Sequence, residues 1–148
     1  MSRQWDWAPL LGRICLSAIF LLSGFNKIAN WEQTAGYMQS KEMPLVPLFL
    51  AGAIVLEVVG GLSVLLGYKA RIGALLLLVF LIPATLIFHN FWALTGQEQQ
   101  LQMIQFLKNV AIAGGLLLML GFGAGPVSFD NRCVACQPSN APSSPSAS

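Results

Sequence analysis

Charge is what this sequence has least of. Its 148 residues hold one His and only eight Lys and Arg and six Asp and Glu, the last two groups making 9% charged, where a soluble domain carries about 25%. So few ionic groups cannot coat a 16 kDa particle in water. Three cysteines and one histidine exclude a disulfide-dense scaffold. A formal net charge of +2 leaves neither a basic stripe nor an acidic field, which excludes nucleic acid as a partner on electrostatic grounds. What the chain does have is apolar surface: 55% of residues are hydrophobic and the mean hydropathy is +0.67. Such a chain is solvated by lipid, so the bilayer is its first expected partner.

Crossing the hydrocarbon core takes about 20 apolar residues in a helix. Runs of that length occur at about 7–26, 47–66, 72–92 and 103–121. An open sheet would strand backbone amides in lipid, and a barrel would alternate in polarity every other residue, which these leucine and alanine runs do not. The expected fold is therefore all-α, an integral membrane four-helix bundle. Between the first two runs Trp31, Ala35 and Met38 recur at helical spacing before Pro44, which predicts a short interfacial helix. The connection around Gly67 to Ala70 is a tight turn, and the polar stretch Thr95 to Gln102 reads as the linker between the third and fourth spans.

After Gly125 and Pro126 the composition turns to proline and serine without apolar periodicity. This predicts a transmembrane domain over 1–130 and a disordered tail over 131–148. The first run is longer than a signal-peptide core and no small-x-small cleavage pattern follows it, so it is expected to stay as an anchor. Arg3, Arg13, Lys69, Arg71 and Arg132 fall on the side holding both ends of the chain, against Lys27, Lys41 and Lys108 on the other. The positive-inside rule then expects both termini in the cytoplasm. Trp5, Trp7 and Tyr68 would form the inner aromatic belt, and Trp31 and Trp92 the outer one.

Ionisable groups inside spans cost several kcal/mol unless paired or hydrated. Asn26 and Lys27 close the first span, His89 and Asn90 the third, and Lys108 and Asn109 open the fourth, so three helices bring polar groups to one level. Glu57 lies about ten residues below that end of its span, roughly 15 Å. Facing inward, with Lys27 or Lys108 angled down to it, it would form a polar cavity open on the outer side. Lys27, Glu57, His89, Lys108 and Asn109 are the candidate lining. Each lysine alone is equally well read as snorkelling to the interface, whereas the short side chain of Glu57 is not. Arg13 reads as structural, snorkelling to phosphates or pairing with Asp6. Cys15 reads as a small packing residue, and Pro83 as a structural bend within the third span. The Gly60-Gly61 and Gly114-Gly115 pairs read as close helix packing. Cys133 and Cys136 have redox-couple spacing, but two thiols do not make a zinc site, so no metal is expected.

The set of motifs resembles the DoxX family of small four-helix membrane proteins. It comprises Arg13 followed by Ser23-Gly24-Phe25-Asn26-Lys27, Glu57-x-x-Gly60-Gly61-Leu62 leading to Gly67 and Arg71, His89-x-Phe91-Trp92, and Lys108-Asn109 before Gly114-Gly115. The resemblance covers about Pro9 to Asp130, and the cysteine pair and Ser/Pro tail depart from it. It implies the inner (plasma) membrane of a bacterium and, for some relatives, association with quinone-linked sulfur oxidation or with superoxide and thiol defence. It implies no agreed mechanism, so catalytic residues stay unassigned.

The leading expectation is an accessory or subunit in membrane redox chemistry whose cavity binds a quinone headgroup or a small sulfur species. No haem-ligand pair, flavin fingerprint or iron–sulfur cysteine set is visible, so electrons would come from a redox partner protein. Two alternatives stay open: a permease or proton conduit working as a homo-oligomer, and a non-enzymatic assembly protein.

Overall fold

A computed structural model of the protein describes residues 6–131; Arg3, Trp5, Cys133, Cys136 and the tail from 132 on lie outside the described residues. The described chain folds as helices α1 (Ala8–Ala29), α2 (Trp31–Ser40), α3 (Val46–Leu66), α4 (Ala70–Phe88) and α5 (Gly96–Phe122), with one 3₁₀ turn at Phe91–Ala93. Four of them, α1, α3, α4 together with the 3₁₀ turn, and α5, are long and apolar enough to cross a membrane. Their outward faces are Leu22, Val55, Leu75, Val79 and Leu118, all more than half exposed, as lipid-facing residues should be.

The bundle is a curved row. α1 packs on α3, α3 on α4 and α4 on α5, whereas the end members α1 and α5 meet sparingly. Small residues set two of the three crossings, as van der Waals packing between membrane helices requires. A Cβ on Gly60 would stand 2.8 Å from Leu77, and one on Gly73 2.6 Å from the Ser63 hydroxyl, which fixes α3 against α4. A Cβ on Gly61 would stand 3.0 Å from Leu21, and one on Gly24 3.0 Å from Val58, which fixes α1 against α3. Leu77, Leu116 and Val64 fill the core with no exposed surface.

α2 forms where the sequence predicts it and lies across one end of the row. Met38 is buried with Val46 and Leu50, and Trp31, Ala35 and Phe88 pack against them. The fourth spanning helix differs from expectation. It begins at Gly96, so the polar stretch 95–102 is its first two turns rather than a linker. Gln and Glu are good helix formers, and a helix that projects beyond the hydrocarbon needs no apolar face there. Cys15 also differs: it is exposed on α1 and faces outward.

Residues 123–131, which composition assigns in part to the tail, fold back under the opposite end of the row. Arg13 is 3% exposed there. Its guanidinium donates to the carbonyls of Ala124 (2.7 Å), Val127 (2.8 Å) and Leu65 (3.3 Å). The expected Asp6 or lipid-phosphate partner is thus replaced by backbone from α3 and the C-terminal segment, because five planar donors can satisfy several carbonyls at once. Asp130 donates its backbone N–H to the Gly67 carbonyl. Its carboxylate accepts from the amides of Lys69 (2.7 Å) and Ala70 (3.0 Å), capping α4 from 60 residues away. Gly67 closes α3 at φ +67°, and a Cβ there would stand 2.7 Å from Ser128 and 2.8 Å from Arg13. Both the left-handed backbone and the close approach require glycine.

Candidate functional site

Ser23 and Lys27 are four residues apart on α1, so they share one helix face. Buried Gly24 between them lets α1 approach α3 until Glu57 comes within reach. Glu57 is 1% exposed. Its Oε1 accepts from Lys27 Nζ at 2.9 Å and from Ser23 Oγ at 2.9 Å, and its Oε2 lies 3.0 Å from the same ammonium. Lys27 Nζ is also 2.6 Å from Ser23 Oγ and 5.6 Å above the Phe80 ring. A carboxylate at this depth needs its charge matched and its lone pairs filled, and a lysine and a serine from one neighbouring helix do both.

The pair forms part of the wall of a cavity of about 470 Å³ at this end of the row, a size that suits a small organic ligand. All five expected residues, Lys27, Glu57, His89, Lys108 and Asn109, line it. They do not act alike. Lys27 alone reaches Glu57; Lys108 is exposed and donates to Gln105 on its own helix. The geometry thus resolves the choice between the two lysines: α3 packs against α1, and α5 packs against α4.

His89 ends α4, and its Nδ1 is 2.7 Å from Gln102 Oε1. With an N–H at Nδ1 toward the amide oxygen, Nε2 of the neutral ring is an acceptor. Asn109 donates to the Thr85 hydroxyl at 3.0 Å, and that hydroxyl donates to the Leu81 carbonyl at 2.7 Å, tying α5 to α4.

Three polar lining residues escaped the sequence reading. Ser23 had a usable signal, its four-residue spacing from Lys27. Thr34 and Tyr37 come from α2, and nothing local showed that an interfacial helix would turn its side chains onto the cavity. Tyr37 stacks on Phe88 with ring centroids 5.7 Å apart, which pins α2 to the end of α4. Phe20, Phe80, Leu50 and Ile112 make the rest of the wall largely apolar. Among the described residues no three His, Cys, Asp or Glu side chains gather as metal ligands would.

A family model described as DoxX matches residues 8–90, more than half of the chain and three of its four spanning helices. The chain belongs to the DoxX family. This DoxX protein is 36% identical over 123 residues to Inner membrane protein YphA of Escherichia coli (strain K12), covering 83% of this chain and 88% of that one. It is 32% identical over 132 residues to Inner membrane protein YqjF of the same organism, covering 88% and 95%. A more distant relative, the Surfeit locus protein 4 homolog of Drosophila melanogaster, is 28% identical over 117 residues, 74% of this chain and 43% of that protein. No solved structure matches the chain. Four spanning helices and these relatives make it an integral inner-membrane protein of the DoxX family.

Proposed function

We propose that the protein is an accessory or subunit of bacterial membrane redox chemistry, and that its cavity binds the headgroup of a quinone. The observation that carries this reading is the Lys27–Glu57–Ser23 cluster set in the wall of an otherwise mostly apolar cavity. A quinone presents an apolar ring with two carbonyl acceptors. Lys27, whose side chain keeps 21% of its surface accessible, can donate to one, and Glu57 is placed to receive or return a proton when the headgroup changes redox state. Electrons come from a partner protein in this reading. The Lys and Arg distribution of the full sequence, five against three, supports cytoplasmic termini.

The test is quinone binding to the purified full chain. Glu57→Gln should keep the bundle folded, because the amide keeps the shape of the acid, and should weaken binding of a short-chain benzoquinone about tenfold, about 1.4 kcal/mol. Unchanged affinity with an intact fold would overturn the reading. An assembly role has one observation in its favour: Gly114 and Gly121, seven residues apart on α5, meet nothing within 4 Å. With exposed Leu117 and Leu118 between them, these glycines leave two hollows that side chains of another helix could fill.

A further inference from the structure

The cavity lies between a floor and a roof. Its floor lies where α1 and α5 close together: Leu16 packs 3.2 Å from the position a Cβ on Gly115 would take, and Arg13 reaches the Ala124 carbonyl just beyond α5. One turn further along, at Ile19 and Phe20 on α1 and Ile112 on α5, the two helices part and their side chains line the cavity instead. The roof is α2, held by the Met38, Val46 and Leu50 cluster and by Tyr37 on Phe88. The α1–α3 and α3–α4 walls are packed closely at Gly24, Gly61, Gly60 and Gly73, and the α4–α5 wall is tied by the Asn109–Thr85 hydrogen bond beside a smaller apolar groove of about 140 Å³. On the remaining side α1 and α5 meet only sparingly, and cavity-lining residues of α1 run along it from Ile19 to Lys27, eight residues or about 12 Å of helix; this is the slot. Ile19 sits midway along a spanning helix and is 44% exposed while lining the cavity, so the slot reaches into the hydrocarbon.

We infer that the cavity is loaded sideways from the bilayer through the α1–α5 slot, by an amphipathic lipid whose hydrogen-bonding head rests at Lys27 and whose apolar chain runs out past Ile19. The inference rests on the ligand-site reading above and adds the route and the need for a chain. A water-soluble ion or metabolite would gain nothing from an opening at that depth, whereas a chain leaving there stays in lipid throughout. The mixed lining fits the same ligand. Lys27, Ser23 and His89 lie toward one end, and Ile19, Phe20 and Ile112 toward the floor.

The experiment uses the full chain in phosphatidylcholine vesicles with two photoreactive probes, a decyl benzoquinone and a long-chain alcohol, each carrying a diazirine on its tail. Both should mark Phe20 or Ile112, which are buried at 2% and 7% exposure and out of reach of bulk lipid. Ile19→Trp, a change on a half-exposed side chain, should cut that labelling by more than half, while Ile19→Ala preserves it. The benzoquinone without a tail, which needs no chain exit, is titrated against the wild type to read headgroup binding separately from the route. Labelling confined to lipid-facing Val55 and Val79, or indifferent to Ile19→Trp, overturns the lateral route. If the alcohol marks the slot and the quinone does not, the route stands and the quinone reading fails. If neither tail enters but the tailless quinone binds, the reverse holds.

Discussion

Arg13 at one end of the bundle and Glu57 toward the other are both nearly inaccessible, at 3% and 1% exposure, and their hydrogen-bonding needs are met in opposite ways. Arg13 is held by backbone carbonyls of residues 52, 111 and 114 positions away in the chain. Those acceptors are fixed by helix ends and cannot leave without unfolding a segment. Glu57 is held by two side chains from a single helix, beside a cavity. The same kind of cost, a charge taken out of water, is met by rigid partners where the fold must be closed and by movable ones where something can bind. A buried charge alone therefore does not mark a site; a buried charge with exchangeable partners and empty volume beside it does.

Substitutions sharpen this contrast in order of size. Arg13→Met should have the largest effect, about 4 kcal/mol lost in an SDS titration, because it strands one buried and two part-buried carbonyls at about 1–3 kcal/mol each. It should also loosen residues 123–131, read as faster amide exchange there than in α3. A loss at Arg13 smaller than that at Lys27 would break the contrast. Lys27→Met comes next, with about 3 kcal/mol lost as the carboxylate is left alone at depth or takes up a proton. Asp130→Ala removes the cap of α4 together with a carboxylate that attracts the Arg13 guanidinium, and should cost about 1 kcal/mol in the same titration. Lys108→Met should change stability by less than about 0.5 kcal/mol, since its charge is exposed and, among the described residues, is hydrogen-bonded to Gln105 alone. A large loss there would mean that Lys108, too, serves the buried carboxylate.

The spans were legible because twenty apolar residues in a row have one solution in a bilayer. The first turns of α5 were not, because a run of Gln and Glu without apolar periodicity is shared by linkers and by helices that project into water; here Glu98 and Gln102 are helical. Glu57 as the deepest charge was legible from its distance along the span. Its choice of Lys27 was not, because the partner depends on which helices adjoin, and that is decided by where Gly24 and Gly61 let α1 approach α3. Arg13 was the least legible residue. Backbone carbonyls leave no mark in a sequence, and the segment that supplies two of them resembles a tail in composition. Asp130 caps α4 from that same segment, far outside any local capping pattern.

The contrast between the two ends depends most on Glu57 having one exchangeable cation, and a double-mutant cycle on Lys27→Met and Glu57→Gln measures that directly. Folding free energies are read by SDS titration for the wild type, both single variants and the pair. If Lys27 holds the carboxylate, the double variant should recover most of what Lys27→Met loses, with a coupling energy of about 2 kcal/mol. If the two losses add to within about 0.3–0.5 kcal/mol, Lys27 does not hold Glu57, and the Lys27 end has no movable ion pair to offer a ligand.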